Sequence, residues 1–447
     1  MRGQPLLLGI VLVTLAFAGC VEDMAGSGKS AKNAKGLGGG KVADLAGKLV
    51  PVAEGLWYDP ETTPHPAYNY PTLSHPPAEI NNPWLKPIPM GAMPAKIVGL
   101  QQAAQVKDAP SGAGMSLIGS IAILPANPTR FIDISDPLKP VKVGESKERS
   151  RGSDTIVYPD GRIVAVLATG TARIGLVDIT NPAAPSEFTG ITSTGTHKVD
   201  VVPGTPIIYN SARGDIWDAT DPSAPVKGPN AMPATCHRTY FYIEPKEDYY
   251  RAICAGFQYT HLWDIKDPLA PKLVVSIPMW HAQKDVPPSS VTPVTFSHFA
   301  ILNRNHKTLI VGDEMGGGAA MACGAHVGSP APRDASTPLG ALWFYDITNE
   351  KAPVLKSWLS PSAPATNMPS SCTAHHGRLV PDPEGKRDLL AMGYYGAGVI
   401  LVDFTDAGSP RILDQFNQGT SVWEAWYYNG YVFTGDGRRG LDTIKFR

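Results

Sequence analysis

Seven residues stand out as able to do chemistry together: His197, His237, His298, His375 and His376, with the neighbouring acids Asp313 and Glu314. Neutral imidazole is a good ligand for copper, zinc or iron, and added carboxylates turn a site toward harder ions. No HxH or HExxH spacing occurs among them, so a divalent transition metal would have to be gathered from segments far apart in the chain. An ion held that way with an open position could activate water or oxygen, with Tyr394, Asp313 or Glu314 passing protons. The competing account is that the histidines cap strands and bond one another's backbones in a polar funnel. Ser297 and His298, adjacent on one strand, point to opposite faces and make a poor nucleophile and base. Trp423, Trp426, Tyr394 and Tyr395 could stack on a ligand or fill the space between sheets, and Arg438 and Arg439 close the last turn.

What brings such scattered residues together is an internal repeat. FIDISDPLKPVKV, GLVDITNPAAPSEF, DIWDATDPSAPVKG, HLWDIKDPLAPKLV, WFYDITNEKAPVLK and LVDFTDAGSPRIL each end an apolar run in Asp: Asp133, Asp178, Asp218, Asp264, Asp346 and Asp403. An Asp or Asn follows three residues later and a Pro seven later. The apolar run reads as a short buried strand, the acids as turn formers that bond their own backbone, and the second Pro as the start of an outer strand. A unit of about 40 to 45 residues suits a four-stranded propeller blade. The order within a unit is inner strand, turn, second strand, turn, Asp phrase, outer strand.

The C-terminus supplies three strands, in SVWEAWYYNG, YVFTGD and GLDTIKF, with Asp442 at the expected place of the repeat acid. PAKIVGL at 94–100 is the expected fourth strand. The expectation is therefore an all-β chain, a propeller of seven four-stranded blades closed by its N- and C-terminal strands, with an irregular first blade around 101–130. Alternating strand directions put the starts of inner strands and the ends of second strands at one face. The five histidines, Asp313, Glu314, Tyr394, Tyr395 and Asp436 should all crowd that mouth of the central channel.

The first residues read as an address. Arg2, the apolar run Leu6 to Phe17 and the ending Phe17-Ala18-Gly19-Cys20 form a secretory signal too short to span a membrane as an ordinary helix. The ending resembles the bacterial lipoprotein signal, which implies cleavage before Cys20 and lipidation of that cysteine. Val21 in the next position, where inner-membrane retention usually requires Asp, implies the outer membrane or cell surface. Residues 1–19 are then signal, 20–48 a flexible tether, 49–93 a Pro-rich extended strap and 94–447 the propeller. Four further cysteines in an exported chain suggest disulfides, for which three pairings exist. Cys236 opens an inner strand and Cys254 ends the next one, so these two should pair. Cys323 should then pair with Cys372 and pin Gly316–Gly340 as a partial lid over the mouth.

At 447 residues, with 43% hydrophobic and 18% charged content, the chain can bury a large core. A net charge of -1 argues against nucleic acid as a partner and leaves the membrane, through a lipid, and an envelope protein.

With VILVDF at 399–404 nearly spelling the phrase, residues 115–447 resemble the LVIVD-repeat proteins, exported bacterial β-propellers. TCHRTYF, FSHFA, VGDEMGGG, SCTAHHG and the closing WYYNGYVFTGDGRRGLDTIKF look like landmarks of a subgroup. That resemblance implies a binding or scaffold module at the cell envelope. A more distant likeness, carried by the paired His375 and His376, is to selenium-binding proteins and methanethiol oxidases. It implies a histidine-held copper centre and a metal-dependent oxidoreductase as the alternative function.

Overall fold

The computed structural model describes residues 82–447 except 111–113, 159, 245–246, 258, 279–295, 315–339, 362–371 and 419. The expected signal, Cys20, tether, most of the strap and the expected lid with Cys323 lie outside the described residues.

Seven antiparallel sheets follow one another along the chain, each built of consecutive strands apart from the last. The first blade runs from Ser116–Ile118 to Val141–Ser146, and the second carries its outer strand as two pieces, Ser186–Glu187 and Ile191–Thr192. The innermost strands of the next four blades are Asp200–Val201, Arg238–Glu244, Ser297–Leu302 and Gly377–Val380. The seventh begins at Val422–Tyr428. Apolar clusters join each blade to the next around the whole ring. Ile121 and Leu167 share one cluster, Leu176 and Ile208 the next, and Tyr209 and Trp263 the third, across the first three junctions. One large cluster then spans the fourth to sixth blades, and two more carry the core through the seventh and back to the first. This is a seven-bladed β-propeller.

The repeat phrase turns the chain as its chemistry requires. In all six copies the acid's side chain accepts the backbone N–H two residues on: Ser135 to Asp133, Thr180 to Asp178, Thr220 to Asp218, Lys266 to Asp264, Thr348 to Asp346 and Thr405 to Asp403. The second acid or amide repeats the device three residues later, from Asp136 through Asp406. Two successive Asx turns therefore reverse each third strand into its outer strand.

The closing strand differs from expectation in position. It is Leu100–Val106, paired antiparallel with Gly440–Phe446, while Val98 and Gly99 only begin the contact by donating to the Arg447 carbonyl. Its sequence, LQQAAQV, is too polar to read as a strand, yet the glutamines suit an outer edge: Gln102 donates to Asp442 and Gln105 to the Arg439 carbonyl. Lending this strand to the seventh blade explains the irregular look of the first. Asp442 is also not the repeat acid. It lies inside the third strand opposite Thr434, fully buried and gripped by Arg439, whereas Lys445 occupies the register position of Asp403.

Residues 82–91 run along the face opposite the channel mouth. Asn82 donates to the Gly161 carbonyl in the second blade, Ser120 donates to the Trp84 carbonyl from the first, and Asn429 donates to the Ile88 carbonyl from the seventh. Leu85 and Ile88 are buried beneath this crossing.

Candidate metal centre

Each histidine sits at the mouth because the strand order puts it there. His237 immediately precedes the inner strand Arg238–Glu244, His298 is the second residue of Ser297–Leu302, and His375 and His376 immediately precede Gly377–Val380. Their rings form one continuous cluster. Centroids lie 3.7 Å apart for His237 and His298, 4.6 Å for His298 and His376, 4.4 Å for His298 and His375, and 4.2 Å for His375 and His376. His197, less buried, closes the row at 4.7 Å from His237.

Two sets of three at the mouth could hold an ion, His237 with His298 and His376, and His298 with Glu314 and His375; a third, Glu244 with Glu247 and His306, lies apart from these histidines. In each, one ligand atom per residue lies within 4.8 Å of the others. The first set carries the sharper signal. His237 Nδ1, His298 Nδ1 and His376 Nε2 are buried and have no hydrogen-bond partner among the described residues. Leaving a buried polar atom unpaired costs about 1 to 3 kcal/mol, and three on adjacent rings is an arrangement that a shared ligand would relieve.

The opposite nitrogen of each ring is engaged. His237 Nε2 meets His197 Nε2 at 2.8 Å, His298 Nε2 meets Glu314 Oε2 at 2.9 Å, and His376 Nδ1 meets the Tyr240 hydroxyl at 2.9 Å. A metal-ligating imidazole is usually held from its far nitrogen in this manner, which fixes ring orientation and tautomer. Glu314 is itself fixed. It accepts a short hydrogen bond from the Tyr395 hydroxyl and faces His375 Nε2 at 3.7 Å, while His375 donates Nδ1–H to the Trp423 carbonyl.

Electrostatics keep the rings neutral, as ligation requires. Burial, reinforced by neighbouring cations, holds His237, His298, His375 and His376 well below the usual imidazole value and His197 at about 3. Burial pushes the Glu314 carboxyl upward.

The remaining expected residues divide. Asp313 is buried in a bracing role: its carboxylate accepts the backbone N–H of Phe296 and of Gly340, and it belongs to neither set. Asp436 does the same in the seventh blade for Ser421, Arg438 and Arg439. Tyr394 turns away to the Gly340 carbonyl, whereas Tyr395 reaches the site with φ at 43°, a left-handed conformation uncommon for an aromatic residue. Phe257 shares that feature, at φ 62°, and its ring lies 5.9 Å from His237. Both residues bridge to the start of the next blade's inner strand, Phe257 to Ser297 and Tyr395 to Val422. Cys236, which immediately precedes His237, and Cys254 form the expected disulfide, with Cα atoms 5.4 Å apart. Cys372 is also disulfide-bonded.

A charged layer lies beneath the histidines. Arg238 Nη1 meets Glu424 Oε2 at 2.8 Å across the channel, Arg378 Nη1 meets Glu424 Oε1 at 3.1 Å, and Asp200 lies 3.7 Å from Arg238 Nε. Lys198 is buried beside them. The signal was there in the alternation of the inner strands: Arg238 and Tyr240 are two apart, as are His376 and Arg378, so each pair faces the channel together.

No protein-family model matches the chain, and no curated protein matches it. Among solved structures it is similar to virginiamycin B lyase from Staphylococcus aureus, at 10% identity and a TM-score of 0.48, over 77% of this chain and 98% of that one. It is also similar to a streptogramin B lyase, at 11% identity and a TM-score of 0.47, over 78% and 97%. The WD40 propeller domain of Doa1 matches at 10% and 0.41, over 80% and 94%. Likenesses this distant carry no argument about the site.

Proposed function

We propose that this propeller is a lipid-anchored, LVIVD-repeat binding module of the cell envelope whose channel mouth holds one divalent transition metal ion through His237, His298 and His376. The observation that carries the reading is the pairing of three unpartnered buried nitrogens with three far nitrogens each held by a named group. Three imidazoles favour zinc or copper and leave a further coordination position for a ligand. The rigid ring supplies what such a site needs, since ligands from three blades keep their spacing only if the blades do. The test is the metal content of purified protein with and without His237→Ala and His298→Ala. One ion per wild-type chain, lost when both histidines are replaced while the fold is retained, supports the reading. A wild type that binds no ion after incubation with zinc or copper overturns it.

A second reading, a metal-dependent oxidoreductase, is favoured by the Tyr395–Glu314–His298 chain, which could move a proton between the channel and a ligand ring. Its mark would be turnover abolished by Tyr395→Phe with metal content unchanged.

A further inference from the structure

Lys198 follows His197 into the channel and is 4% exposed. Its ammonium makes one long hydrogen bond, 3.5 Å to the Arg151 carbonyl, and no carboxylate among the described residues lies within ion-pair distance of it. Glu424, Asp200 and Glu314 act on it only from beyond contact distance, whereas Arg238 and Arg378 both contact Glu424 and Arg238 also faces Asp200. The space for Lys198 is built into the backbone. Gly114 and Gly152 bridge each other in parallel, and a Cβ on Gly114 would lie 2.3 Å from Lys198 Nζ, one on Gly152 2.9 Å from its Cδ. The charge is central to the site: Lys198 acts electrostatically on all five histidines and on Glu314.

A buried ammonium needs a counter-charge or several strong acceptors. We propose that the channel mouth binds a small anion of carboxylate type, with one end on the Lys198 ammonium and the other at the coordination position left by His237, His298 and His376. The inference rests on the metal reading for the second contact and on Lys198 alone for the first. It assigns the site a ligand class: a compact monoanion with acceptor atoms at both ends, excluding cations and large neutral molecules.

Azide serves as the probe, with formate as a competitor. Copper-loaded wild type, Lys198→Met and Lys198→Arg are titrated with azide and followed by the absorption of the copper–azide pair. Metal-free samples are titrated by calorimetry. The expected result is azide binding weakened at least tenfold in Lys198→Met at unchanged copper content, largely restored in Lys198→Arg, and displaced by formate in the wild type. Equal azide affinity in wild type and Lys198→Met overturns the anion site and leaves the metal reading standing. If the wild type takes up neither copper nor zinc, the metal reading fails, and calorimetry on the metal-free protein decides: Lys198-dependent heat keeps the anion contact, and its absence overturns it. Should Lys198→Met fail to fold, Gly114→Ala, which crowds the ammonium without removing it, must lower azide affinity, and unchanged affinity there overturns the proposal equally.

Discussion

At the scale of residues, the groups behind the histidines should matter nearly as much as the histidines. Tyr240 holds His376 from its far side and Glu314 holds His298, so Tyr240→Phe and Glu314→Gln should each weaken metal binding by about 10- to 100-fold. Competition with a chromophoric chelator measures this, and unchanged affinity would show that the rings are not held for ligation. The same burial makes the metal-free protein acid-sensitive. Imidazoles held well below their unfolded value of about 6.5 stay neutral in the fold while the unfolded chain takes up protons, so stability falls as pH drops below about 6.5. Asp154, held up at about 7 by burial, acts oppositely, giving up its stabilisation as pH rises through that value. It is common to wild type and to the His237→Ala/His298→Ala double variant, so it cancels in the comparison. Between pH 7 and pH 5 the wild type should lose at least about 1 kcal/mol more than the variant, read from urea midpoints; parallel slopes would contradict the burial argument. The histidines were legible because strand order alone places them. Lys198, Arg238 and Glu424 were not, since a charged residue in a short strand reads as solvated until the channel that swallows it is known.

At the scale of elements, the repeat aspartates and Asp442 separate two kinds of acid. Asp178 forms an Asx turn, and Asp178→Ala should cost about 1 kcal/mol, the worth of one ordinary hydrogen bond. Asp442 is buried and answers both Arg439 and Gln102, so Asp442→Ala strands a charge and should cost about 3 kcal/mol or more. Denaturant midpoints distinguish these, and equal costs would return Asp442 to the repeat. The Asx turns were fully legible because a side chain two residues from its partner amide needs no tertiary information. Asp442 was misplaced because an acid near a chain end mimics the repeat when its cross-strand partners are unseen.

At the scale of the whole molecule, the ring depends on a strand whose sequence does not look like one. Leu100–Val106 covers the edge of Gly440–Phe446 and shields the junction where the first and last blades meet. A chain beginning at Asn82 should stay monomeric and fold cooperatively, whereas one beginning at Lys107 should expose that edge and self-associate. Sedimentation of both distinguishes them, and a monomeric, cooperative short chain would contradict closure. Blade number and direction were legible from the repeat, since each phrase marks one strand of a fixed order. The closing strand was hidden because an outer strand buries little and its polar residues carry no apolar alternation.

The central claim is that this closed ring gathers three imidazoles from three blades onto one ion. X-ray absorption at the metal edge of zinc- or copper-reconstituted protein tests it most directly. Three imidazole nitrogens at about 2.0 to 2.1 Å, reduced to two in His376→Ala, are expected; an ion with no imidazole scattering, or a spectrum unchanged in that variant, would contradict it.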